Sequence, residues 1–196
     1  MSALDPLSDE QREIRDLVRT IARERIAPRA AEIDKSGEFP WDVVDVFREN
    51  DLFGIMFDEA YGGIGASSLL TFVTIEELSK VCATSGLIVA VQELGSLGIK
   101  LAGSEEQKQR FLPKLATGEW LAAYALTEPG SGSDSAAMRT TARLEGDEYV
   151  LNGGKRFITS AGVAAVYVVF AKTDPAQGHS GISAFVVEAA SPGFEV

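Results

Sequence analysis

Two stretches of the 196-residue chain combine residue types that could hold a polar ligand through uncharged donors. Residues 124–134 read YALTEPGSGSD. Pro129 followed by Gly130 forces a turn, and Gly132 lets the backbone come close to whatever lies beside it. Thr127, Ser131 and Ser133 add short hydroxyls, and consecutive backbone N–H groups in such a bend can form a nest for negative charge. An ordinary Gly/Ser/Pro loop between strands has the same composition, so these residues alone leave both readings open. The second stretch, residues 153–160, reads GGKRFITS. Taken by itself it is a strand with a buried aromatic, Phe157, and Ile158, followed by the hydroxyls of Thr159 and Ser160.

Other candidates carry less. His179, the one histidine, sits between Gly178 and Ser180 in a polar loop and reads as a solvated residue. Cys82, the one cysteine, lies in an apolar helical stretch as an inert buried thiol and excludes an internal disulfide. One His with one Cys does not make a zinc set. GGIG at residues 62–65 lacks the full dinucleotide-binding spacing, and Gly154-Lys155-Arg156 lacks the upstream glycine and the Ser/Thr of a P-loop. Glu128, inside the bend, reads as a structural charge, solvated or capping.

The elements that must position these stretches change character near Trp120. Before it the periodicity is helical. Ile14, Leu17, Val18 and Ile21 make an amphipathic stripe, started by a capping box of Ser8 and Gln11 and ended or kinked by Pro28. A helix after Pro40 carries Val43, Val46 and Phe47 on one face. EAYGGIGAS (residues 59–67) is a loop, residues 67–82 and 84–102 are apolar helices, and Ser104 with Gln107 starts a short helix toward Lys114. After Trp120, residues 139–145, 148–151, 156–159, 166–172 and 182–187 read as short strands separated by Gly146-Asp147, Asn152-Gly153-Gly154 and a loop at 174–181. The expected architecture is α+β: an all-α helical domain over residues 1–120, then an antiparallel β-domain over 121–196.

Composition bounds the function. Hydrophobic residues at 45% supply a core, and 18 basic against 29 acidic residues give a net charge of −11, which repels nucleic-acid phosphates. The start, MSALDPLSDEQ, resembles no signal peptide, and the apolar run at residues 86–91 is far short of the ~20 residues that span a bilayer. The expectation is a cytoplasmic protein without membrane insertion.

In order and spacing, YALTEPGSGSD followed by LNGGKRFITS resembles the acyl-CoA dehydrogenase family of flavoproteins. The family's signatures are similar to aromatic-x-x-T-E-P-G-x-G-S-D and L-N-G-x-K-x-(W/F)-I-T. EAYGGIGAS, the run GSEEQKQRFLPKLATG at residues 103–118 and SPGF near the end carry the same likeness. The resemblance implies an incomplete β-barrel or sandwich after the helical domain, FAD as cofactor, an acyl-CoA substrate, an electron-transferring flavoprotein as partner and a homo-oligomer built as a dimer of dimers. It also implies roles. Tyr124, Ala125, Leu126 and Thr127 would lie along the flavin, with the Thr127 backbone or hydroxyl bonded to its pyrimidine side. Gly132 and Ser133 would sit where cofactor and thioester meet, Ser133 touching the CoA portion. Phe157 stands where many relatives carry Trp and would pack on the isoalloxazine beside Ile158, while Thr159 would bond near N5. Residues 89–94 would help wall the acyl pocket. The proton-abstracting glutamate is expected from a C-terminal helical domain not present in this sequence, and the sheet is expected to be completed beyond residues 191–196. Alternatives on the same fold are a non-catalytic fragment or binding subunit, and a flavin oxidase or monooxygenase.

Overall fold

The computed structural model describes residues 7–196, so residues 1–6 of the stretch read as lacking a leader lie outside the described residues. The chain forms two compact units.

The first takes the residues up to Ala90 together with Leu112–Glu119. Helix α1 (Asp9–Ile21) starts on the expected capping box, with Ser8 and Gln11 bonded reciprocally. It continues through a π-turn at Ala22–Ile26 and a 3-10 turn at Ala27–Arg29, where Pro28 redirects the chain, into α2 (Ala30–Ser36). Helix α3 (Trp41–Glu49) buries Val43, Val44, Val46 and Phe47, and Phe47 meets Phe53 edge-on at 5.8 Å. Leu17, expected on the buried stripe of α1, is instead 54% exposed. Helix α4 (Ser68–Ser79) packs against α1 through a bidentate ion pair: Arg19 donates to both oxygens of Glu77 at 2.9 Å, and Lys80 adds a third bond at 2.9 Å. The Arg19 hydrogen bond, opposed by burial and aided by Lys80, holds the Glu77 carboxyl at about 2. In the EAYGGIGAS loop, a Cβ at Gly63 would lie 1.9 Å from the Phe57 carbonyl oxygen, so only glycine fits there.

The second unit is Val91–Phe111 with Trp120–Val196. Helix α5 (Ala83–Ala102) enters it from the first unit, and α6 (Glu105–Ala116) leaves it. By length and composition alone α5 is long and apolar enough to reach across a bilayer, although its most apolar run, residues 86–91, is short. Half of its apolar window is buried within the protein. Buried Gln92 ties α5 to the sheet: its Nε2 donates to the Trp120 carbonyl and its Oε1 accepts from the Ala122 N–H, both at 2.9 Å.

The sheet has five strands: β1 (Ala122–Ala125), β2 (Thr141–Glu145), β3 (Glu148–Asn152), β4 (Val166–Lys172) and β5 (Ile182–Glu188). Hairpins β2–β3 and β4–β5 are antiparallel as expected. The sheet as a whole is mixed, because β1 runs parallel to β4 and β2 meets β4 in parallel at Thr141 and Lys172. The forty residues between β1 and β4 include the β2–β3 hairpin and give the chain room for a parallel return. β1, an alanine-rich strand that propensity does not announce, is buried against α5. Residues 156–159, expected as a strand, form an irregular loop instead.

Candidate functional site

β1 delivers the chain to the bend. The Tyr124 ring is half-buried against Phe170 at 5.0 Å, and burial pushes its phenol upward in pKa. Beyond it, Glu128 and Ser131 exchange backbone hydrogen bonds of 2.9 and 3.1 Å across Pro129-Gly130, closing a tight two-residue turn. The Ser131 hydroxyl donates to the Asp134 carbonyl at 2.9 Å and stabilises the exit. A Cβ at Gly130 or Gly132 would meet nothing within 4 Å, so the outer side of the bend faces open space.

The Glu128 side chain points inward. It is 7% exposed and accepts from the Arg139 N–H at 2.6 Å, the Thr140 N–H at 3.0 Å and the Lys155 ammonium at 2.8 Å. Burial pushes its carboxyl up, but the Lys155 hydrogen bond and the two amides outweigh it and hold the group at about 2. Glu128 is therefore an ionised anchor: its charge is structural, as expected, and it is buried on backbone amides and Lys155 instead of being solvated.

The second segment leaves β3 through Gly153, where a Cβ would fall 2.3 Å from the Thr140 hydroxyl oxygen. The next residues are bonded to the first segment. The Lys155 Nζ also donates to the Leu126 carbonyl at 3.0 Å, and the Arg156 N–H donates to the Thr127 carbonyl at 2.8 Å. Phe157 then adopts φ 59°, a left-handed conformation that an aromatic residue holds at a cost of about 1 kcal/mol or more, and its ring is 81% exposed. The Arg156 guanidinium lies 4.6 Å over that ring. This left-handed residue breaks the strand expected at 156–159, and the buried aromatic expected there is a displayed one. Ser160, also left-handed at φ 66°, accepts from the Val163 and Ala164 N–H groups and turns the chain into β4.

The structure thus brings together the two stretches singled out from sequence. Thr127 and Leu126 are half-buried beside Lys155 and Arg156, Gly132 and Ser133 are exposed on the bend, and Thr159 is exposed with Ile158 half-buried. Ala125 is 3% exposed, so only its backbone could face a ligand. Val91 is buried at 6% while Leu94 is 41% exposed, so within residues 91–94 the open apolar surface is Leu94. The hydroxyls of Thr127, Ser133 and Thr159 and the N–H groups of Thr127, Gly132 and Ser133 form no hydrogen bond among the described residues. Sequence reasoning missed the pairing of Glu128 with Lys155. The available signal was two opposite charges inside otherwise neutral, ligand-like motifs, at positions too far apart in sequence to pair locally.

Comparison with known proteins gives a consistent result. Residues 8–119 match the family model of the acyl-CoA dehydrogenase N-terminal domain, and residues 123–196 match that of the middle domain. The chain is 46% identical over 191 residues to the short-chain specific acyl-CoA dehydrogenase of Clostridium acetobutylicum, covering 97% of this chain and 50% of that protein. A chain in the solved structure of the electron transferring flavoprotein of Acidaminococcus fermentans is similar at a TM-score of 0.92 and 41% identity, over 95% of this chain and 50% of that one. The acyl-CoA dehydrogenase of Bacillus anthracis complexed with FAD is similar at a TM-score of 0.85 and 37% identity, over 96% and 33%. The chain spans about half the length of the curated relatives it matches.

Proposed function

This chain belongs to the acyl-CoA dehydrogenase family, and from that premise we propose that the protein removes hydrogen across the α,β-carbon bond of an acyl-CoA thioester with FAD bound at residues 124–133 and 157–159. The observation that carries the reading is the junction of the two motifs by Lys155 and Arg156, which leaves the Thr127 hydroxyl and N–H unpaired among the described residues and the neighbouring Phe157 side chain exposed. That donor set fits a flavin: a flat heteroaromatic ring with carbonyl and imine acceptors is met by hydroxyl and amide donors and by an aromatic face. When bound, FAD supplies the two-electron acceptor for the hydride leaving the thioester β-carbon.

The chain's own residues would do the rest. Thr127 donates to the pyrimidine edge, where negative charge gathers on reduction. Phe157 covers the ring and excludes water, and Thr159 fixes the ring's orientation. Gly132 keeps the bend free of side chains so that Ser133 can donate to the CoA portion of the substrate. The α-proton needs a carboxylate of raised pKa. Glu128, held at about 2 with its oxygens occupied, is unsuited to that task. We assign the base to a part of the relatives' length that this chain does not cover. The proposal extends to an electron-transferring flavoprotein as the acceptor of the electrons, to a dimer of dimers, and to the cytoplasm as the site of action.

A visible absorption spectrum of the purified protein, followed by anaerobic titration with acyl-CoAs of graded length, tests this. A flavin spectrum that bleaches with one class of thioester is expected. Protein that takes up no FAD, or flavin that no thioester bleaches, overturns the proposal.

A further inference from the structure

We propose that Lys155 is a positioning residue for the flavin, acting through the Leu126 carbonyl to aim the Thr127 N–H. The inference rests on the FAD reading above and deepens it. Every described peptide bond is trans, so the C=O and N–H of one peptide unit point in opposite directions. The Leu126 carbonyl and the Thr127 N–H belong to one such unit. The Lys155 ammonium, 3.0 Å from that carbonyl oxygen, therefore fixes the Thr127 N–H on the side facing away from Lys155. The next unit is pinned in the same way, because the Thr127 carbonyl accepts from the Arg156 N–H at 2.8 Å. Both peptides flanking Thr127 are thus held by consecutive residues of the second motif. The Thr127 N–H is left without a hydrogen-bond partner among the described residues.

Stability alone does not explain a lysine here. Its side chain is 10% exposed against a Glu128 side chain at 6%, and replacing such a pair by apolar residues of similar volume is commonly neutral or favourable. What an apolar pair could not supply is the bond to Leu126. A cation on the carbonyl also polarises that peptide and strengthens its N–H as a donor. Glu128 neutralises the Lys155 cation, so the pair adds an oriented dipole and no net charge.

The test uses the FAD-loaded protein, with Lys155→Met as the perturbation and Glu77→Gln as the control for stability alone, because Glu77 belongs to the first unit and to none of the site segments. The Lys155 bond exists with or without FAD, so what binding loses is the aimed, uncharged Thr127 N–H, and one such hydrogen bond corresponds to about threefold or more in affinity. Lys155→Met is expected to weaken FAD binding by at least that factor and to shift the flavin's visible absorption, while Glu77→Gln lowers the unfolding midpoint without a spectral shift. Hydrogen exchange on the unaltered protein adds a measurement that needs no variant: the Thr127 amide is expected to become protected when FAD binds. FAD affinity that falls in step with stability in both variants, or a Thr127 amide that exchanges equally fast with and without FAD, overturns the role of Lys155 and leaves the flavin reading standing. Failure of the unaltered protein to take up FAD overturns the flavin reading itself.

Discussion

Glu128→Gln measures how firmly the bend is held by charge. In the folded protein this carboxyl titrates at about 2 instead of its ordinary 4.5, so folding weakens its proton affinity roughly 300-fold. By linkage that is about 3 kcal/mol of stability. The folded value is the lower one, so the contribution is complete above about pH 4.5 and is lost as pH falls toward 2. At about pH 3.5 the same linkage relation removes about 1 kcal/mol of it. Glutamine keeps one acceptor for the Arg139 or Thr140 amide but turns an NH2 toward another donor, so a net loss of about 2 kcal/mol is expected near neutrality. Denaturant titrations of both proteins at about pH 7 and about pH 3.5 provide the assay. The gap between them should narrow by about 1 kcal/mol at the lower pH. An equal gap at the two pH values would refute the assignment of Glu128 as an ionised anchor.

Three further outcomes are expected. Phe157→Ala should change stability by less than about 0.5 kcal/mol, since the ring is exposed, yet weaken FAD binding severalfold by fluorescence titration; unchanged binding would remove Phe157 from the site. Glu77→Gln removes the charge that Arg19 and Lys80 bond, and because those cations stay in contact with water it should cost about 1–2 kcal/mol by chemical denaturation; a cost near zero would mean that the ion pair adds nothing to stability. At Gly95 an added Cβ would lie 2.7 Å from the Ala122 Cβ, so Gly95→Ala should cost about 1–3 kcal/mol in thermal unfolding.

The helices were readable because their signals are local. Ser8 and Gln11 lie within one turn of each other, and Val43, Val46 and Phe47 repeat at the helical period. The hairpins were readable for the same reason, since Gly146-Asp147 requires only neighbouring residues. β1 escaped because its four residues AAYA have weak strand propensity, and long-range pairing with β4 creates it. The loop at 156–159 was misread in the opposite sense. Phe, Ile and Thr favour strands, but the bonds from Lys155 and Arg156 to residues 126–128 pull the chain out of any ladder. The two motifs themselves were visible as residue types, whereas the charge pair that joins them needs side chains from positions 27 residues apart.

The amide of Gln92 engages the backbone on both sides of Leu121, with its donor end on Trp120 and its acceptor end on Ala122. Helix and strand are thereby indexed residue by residue. A slip of one position along β1 would turn every side chain of the strand to the opposite face, carrying Leu126 and Thr127 away from the lysine and the amide that hold them. One uncharged side chain thus sets the phase in which the chain arrives at its bend, before any ligand is present to select it.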